Sequence, residues 1–179
     1  RNGMIAISKA FVGARIHDGE DFHDNHAFVV YTDRSRGIIP YRDLPTDCWT
    51  QVLPGGIIAP GFVDLQINGG GGVMFNDDQS VEALHTIATA HASIGTAAVL
   101  PTLITDTPER TRAAITAIEQ AIAERVAGVV GIHLEGPHLS VARKGAHDPS
   151  LIRRMDDDDL ATVLRAAESL PNVMMTVAP

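Results

Sequence analysis

The chain has 179 residues, 45% hydrophobic and 20% charged, with a formal net charge of −8. That length buries one sizeable core, and that balance excludes disordered and fibrous classes. The acidic balance argues against a nucleic-acid or anionic-membrane surface, each of which wants a basic field, and leaves room for a small anion met by local cations such as Arg143 and Lys144.

Cys48 stands alone and cannot form an internal disulfide; with no long apolar span or charged-then-apolar leader, a reducing, cytoplasmic setting is expected. Arg1-Asn2-Gly3 ahead of Met4 reads as an appended remnant. Residues 1–56 alternate short β-prone runs, such as Ile5-Ala6-Ile7 and Ala27 to Tyr31, with polar turns, and predict a small β domain or part of one. His17, His23 and His26 invite a metal reading, yet they sit in Gly- and Asp-rich loops without fixed ligand spacing, where solvated turn residues are the simpler account.

From residue 57 to 179 the pattern becomes strand, helix, strand, helix. Ile57 to Gln66 is the first strand unit, and Gly69 to Gly72 follow as a tight loop or as backbone room for a ligand; they lack the spacing of a dinucleotide site. Ser80 is the N-cap of a helix whose face runs Val81, Leu84, Ile87, Ala88, His91 and Ile94 and stops at Gly95. Ala97 to Leu100 open a second strand. Thr107-Pro108-Glu109 start a second helix with Ile115, Ile118 and Ile122 as its stripe. Asp156 to Asp159 cap a third helix with Leu160, Val163, Leu164 and Ala167 inward, and Val173 to Val177 form a fourth strand.

The third strand, Val129 to Leu134, is β-branched-rich and bounded by Gly128 and a tight turn at Gly136-Pro137. Side chains alternate along a strand, so His133 and Glu135 share a face opposite Ile132 and Leu134. Glu135 then stands at the strand's carboxyl end, where α/β barrels gather catalytic groups. A divalent-ion ligand, a general base and a salt-bridged carboxylate all fit it; His133 fits a ligand or a hydrogen-bonded core histidine. Asp64, Gln66 and Asn68 share a face in the first strand, and neutral amides there argue against two strongly held metals.

Four βα-type units imply a parallel sheet. A complete (β/α)8 barrel needs about 250 residues, so the fold class is α/β with a partial (β/α)8 TIM barrel beside a small N-terminal β-sandwich portion. An open four-stranded α/β domain is the alternative, at the cost of an unprotected edge.

Pro60 to Gly69, Leu100-Pro101-Thr102-Leu103-Ile104-Thr105, His133-Leu134-Glu135-Gly136-Pro137 and Lys144-Gly145-Ala146-His147, in this order and spacing, resemble the N-acetylglucosamine-6-phosphate deacetylases of the amidohydrolase superfamily. The resemblance spans nearly the whole chain. It implies a (β/α)8 barrel with a small β-sandwich, and metal-dependent conversion of N-acetylglucosamine 6-phosphate to glucosamine 6-phosphate and acetate in amino-sugar catabolism. It makes Glu135 the metal ligand and sets Ala146 and His147 against the substrate, His147 positioning or polarising the acetyl carbonyl. Gln66 matches members with one tightly held metal, touching it through water; His133 gains no ligand role. One zinc ion per site and a homodimer are implied for the complete enzyme. The family's two metal-binding histidines and catalytic aspartate follow later strands, so residues 1–179 alone are expected to be inactive. A related amidohydrolase acting on a different amide and a non-catalytic half-barrel assembly module are the other readings.

Overall fold

The computed structural model describes residues 5–178. Arg1-Asn2-Gly3, read above as an appended remnant, lie outside the described residues. The chain divides into two compact units, Arg1–Pro60 and Gly61–Pro179.

In the first unit, strands β1 (Ile7–Val12), β4 (His26–Tyr31), β5 (Arg36–Pro40) and β6 (Thr50–Val52) form a sheet in the order β5-β4-β1-β6. β1 runs antiparallel to β4 and parallel to β6. Period-two alternation buries Ala10, Val12, Ala27 and Val29 together, while Phe11, Phe28 and Trp49 meet as rings. A smaller sheet joins β2 (Arg15–His17), β3 (Phe22–His23) and β7 (Ile57–Ile58) in the order β3-β2-β7. The sequence reading is corrected here: Ile57 and Ile58 pair with Arg15 and Ile16 rather than opening the barrel strand. Pro60, without an N–H, interrupts any continuous ladder from Ile57 to Gln66.

The second unit starts with β8 (Phe62–Ile67). The glycine run is a hairpin, β9 (Gly69–Gly70) on β10 (Val73–Met74), turning at Gly71 and Gly72 with φ of +62° and +84°. Two glycines at positive φ suit the tight two-residue turn. Helices α1 (Val81–Ala92), α2 (Pro108–Ala123) and α3 (Asp157–Ser169) alternate with β11 (Thr96–Ile104), β12 (Ile132–Leu139) and β13 (Val173–Ala178). The sheet order is β13-β12-β11-β8, every neighbouring pair parallel, in keeping with a partial TIM barrel. Ser80, Thr107 and Asp156 each cap their helix by accepting from the N–H three residues on.

One core joins Leu84, Ile87, Ala114, Ile118 and Ala121 of the helices to Ile67, Val99, Leu103, Ile132 and Leu134 of the strands. Fully burying an Ile or Leu side chain stabilises by about 1.5–3 kcal/mol. Three local expectations change. Ile94 falls past the end of α1 and is exposed. On α3 the buried residues are Thr162 and Ala166, with Val163 packed against the core, while Leu160 and Leu164 are 43% and 54% exposed. The third strand starts at Ile132 and continues through Gly136-Pro137 to Leu139, where a turn was expected. Pro137 cannot donate to the ladder, so the register with β13 shifts between Glu135 and Leu139 instead of ending. Among the described residues, no helix is long and apolar enough to cross a membrane.

Candidate active site

Glu135 lies opposite Ile104 of β11 and Thr176 of β13 in the parallel register. Ile132 and Leu134 occupy the core, so alternation turns His133 and Glu135 to the other side of the sheet. Gln66 reaches Glu135 from β8, its Nε2 donating to Oε2 over 2.8 Å. Asp64 shares the Gln66 face and its Oδ1 accepts the Gln66 N–H at 3.0 Å. Asn68, expected beside them, falls past the end of β8 and makes no hydrogen bond to Glu135.

His147 arrives from the loop after β12. Its Nε2 lies 3.4 Å from Glu135 Oε1 and its Nδ1 lies 2.7 Å from Thr105 Oγ1. An ionised carboxylate only accepts, so the neutral ring carries its proton on Nε2 and takes the Thr105 hydroxyl at Nδ1. Both Glu135 and His147 are largely buried. Gly136, with φ of +82°, makes this approach feasible: a Cβ there would collide with Thr105 Oγ1. Ala146 is exposed on the turn before His147. Lys144 is half-buried and its Nζ donates to the Gly145 and His147 carbonyls, while Arg143 is exposed.

Beneath Glu135 runs a second polar row. Thr102 Oγ1 donates to the Leu100 carbonyl and accepts the Ile67 N–H at 3.0 Å; His133 Nδ1 lies 3.3 Å from it. His133 Nε2 in turn lies 2.7 Å from Thr176 Oγ1. Both ring nitrogens are thereby engaged, which resolves His133 as a hydrogen-bonded core histidine. Burial pushes its imidazole below the ordinary value, opposed by the nearby Glu135 charge.

Glu135 is therefore an acceptor aimed into a polar site, with an amide and an imidazole as adjustable donors. A carboxylate suits a hard or borderline divalent ion. One carboxylate and one imidazole do not complete such a site, and among the described residues no group of three or more His, Cys, Asp or Glu could hold a metal. His17, His23 and His26 form no such group either; His23 pairs with Asp18 and His26 Nδ1 donates to the Asp24 carbonyl. Thr105 and Thr176 escaped the sequence reading as site residues, since their partners lie far away in the chain.

Residues 57–177 match the amidohydrolase family. An N-acetylgalactosamine-6-phosphate deacetylase of Shewanella sp. (strain ANA-3) is 44% identical over 127 residues, covering 71% of this chain and 32% of that protein. An N-acetylglucosamine-6-phosphate deacetylase of Haemophilus influenzae is 31% identical over 176 residues, covering 93% of this chain and 46% of that one. The crystal structure of the N-acetylglucosamine-6-phosphate deacetylase from Pasteurella multocida superposes with a TM-score of 0.85 at 32% identity, over 92% of this chain and 44% of that chain. The chain thus spans under half the length of each of these proteins. Glu135 stands where the β11–β12 ladder ends and not, as expected, at the carboxyl end of its own strand, which runs on to Leu139; with its family match over residues 57–177 and its parallel sheet, the chain belongs to the amidohydrolase family.

Proposed function

We propose that the whole protein hydrolyses the acetamide of an amino-sugar 6-phosphate, taking N-acetylglucosamine 6-phosphate and water to glucosamine 6-phosphate and acetate. The observation that carries this reading is Glu135 on β12, at the point where the ladder with β11 ends, held by Gln66 from one side and His147 from the other. Amidohydrolases are in general dependent on divalent metal ions. Glu135 contributes one carboxylate donor to such an ion, zinc in our reading, with the remaining donors outside residues 5–178. When bound, the ion supplies Lewis-acid activation of water or the amide carbonyl.

The residues present act by holding and orienting. Gln66 fixes one Glu135 oxygen and, through its neutral amide, favours a single ion over a pair. His147, set by Thr105, presents its Nε2–H to the acetyl oxygen as negative charge develops there. Ala146 supplies a small side chain beside the sugar. The division into a small β domain and a barrel half, homodimerisation and a cytoplasmic setting are part of the same proposal.

The 44% identity to the Shewanella enzyme favours testing the C4 epimer as well. The experiment is release of acetate by the whole protein from N-acetylglucosamine 6-phosphate and N-acetylgalactosamine 6-phosphate, with and without chelator. Metal-dependent acetate from the first substrate supports the reading. Turnover of the second alone moves the assignment to the epimer, and acetate from neither sinks it.

A further inference from the structure

We infer that Arg153 is a positioning residue that clamps shut the loop from His138 to Arg153 and so keeps the His147 imidazole between Thr105 and Glu135. The consequence for turnover rests on the role proposed for His147.

The chain leaves β12 at Leu139, passes a 3-10 turn at Val141–Arg143, carries Lys144 to His147, and returns at Arg153. At the return, the Arg153 N–H donates to the Pro137 carbonyl over 3.2 Å, and His138 Nδ1 donates to the Arg153 carbonyl over 3.1 Å. Both ends of the loop are thereby stitched at one point. The guanidinium extends the stitch in two directions. Nε and one terminal nitrogen take the Asp159 carboxylate at 3.0 and 2.8 Å, a bidentate pair, while the other terminal nitrogen donates to the Asp106 carbonyl at 3.0 Å.

Each anchor is itself fixed. The Asp159 N–H donates to Asp156 Oδ1 in the first turn of α3. Asp106 adjoins Thr105, whose hydroxyl meets His147 Nδ1, and its carboxylate accepts from Asn76 and the Thr107 N–H. One side chain therefore ties the loop bearing His147 to the helix behind it and to the backbone carrying His147's own partner. Exposed ion pairs of long side chains do little. This one differs: the Asp159 side chain is only 10% exposed, and the planar fork meets a carboxylate and a carbonyl together, a geometry lysine cannot reproduce.

The test uses the whole protein with Arg153→Met, Arg153→Lys, His147→Ala and the double variant Arg153→Met/His147→Ala. A clamp that acts through His147 lowers kcat about 10- to 100-fold in Arg153→Met, with a smaller change in KM. Arg153→Lys recovers only part of the loss. The double variant is no slower than His147→Ala alone, because the two changes remove one interaction. Amide hydrogen exchange over residues 140–152 quickens in Arg153→Met while that of β11 and α2 holds.

Additive losses in the double variant, or unchanged exchange over 140–152, overturn the inference. If the wild-type protein releases no acetate from either sugar phosphate, the proposed function has failed, and the exchange of residues 140–152 alone decides whether the clamp exists. Should Arg153→Met fail to fold, Asp159→Asn removes the opposing charge of the pair at nearly unchanged volume and is read by the same exchange.

Discussion

Among the places where a histidine meets a carboxylate, two come to opposite ends. Asp18 and His23 are five residues apart and meet at 2.7 Å, with side chains 37% and 30% exposed. Glu135 and His147 meet at a looser 3.4 Å, with side chains 19% and 11% exposed. Distance alone would choose the first pair as the functional one. Asp18, however, spends its acceptor capacity on its own turn: Oδ1 takes the N–H groups of Glu20 and Asp21 while Oδ2 meets His23. The Asp21 N–H first, and His23 after it, hold this carboxyl well below the usual range. Glu135 instead draws its neighbours from β8 and a distant loop, where the β11–β12 ladder ends and a ligand can replace them.

That contrast breaks most sharply at Glu135. Glu135→Gln keeps shape but removes the charge a divalent ion needs, and turnover of the whole protein should fall at least about a hundredfold with weakened metal retention. Steady-state rates together with metal analysis after dialysis check it; wild-type rates would return the site to an ordinary strand end.

Gly136→Ala should follow in size. A side chain at φ of +82° costs about 1–3 kcal/mol, and here its Cβ also displaces Thr105 from His147. Chemical denaturation measures the first effect and kcat the second.

A smaller effect belongs to acid. Its hydrogen bonds to Arg153 first, and then the Arg153 and His138 charges, hold the Asp159 carboxyl below its usual range. Because the folded value is the lower one, this contribution is fully present above the unfolded value of about 3.9 and disappears as pH falls through the folded value. Protection of residues 140–152 from hydrogen exchange should thus persist through the ordinary carboxylate range and collapse beneath it; collapse near pH 5 would contradict the ion pair. Smallest of all, His23→Ala should leave acetate release unchanged in a direct rate comparison, since its partner lies within its own turn.

The architecture was legible because its signals are local. Ser80, Thr107 and Asp156 announced the helices, Ile115 and Ile118 their buried stripe, and alternation around His133 the two faces of β12. Short motifs likewise singled out Glu135 and His147, though not that the two side chains meet. What escaped was set by distant partners: Thr105 meets His147 across 42 positions and Arg153 meets Asp106 across 47. No periodicity encodes such pairs.

The polar row from the Ile67 N–H through Thr102 and His133 to Thr176 crosses all four parallel strands of the second unit. A strand that slips by two residues keeps its apolar side inward and can evade hydrophobic sorting. Such a slip would nonetheless strand the Thr102 hydroxyl and the His133 ring without their mates. The row therefore acts as a gauge inside the sheet, rejecting near-miss alignments that greasy contacts alone would accept, and so sets how far Gln66 stands from Glu135.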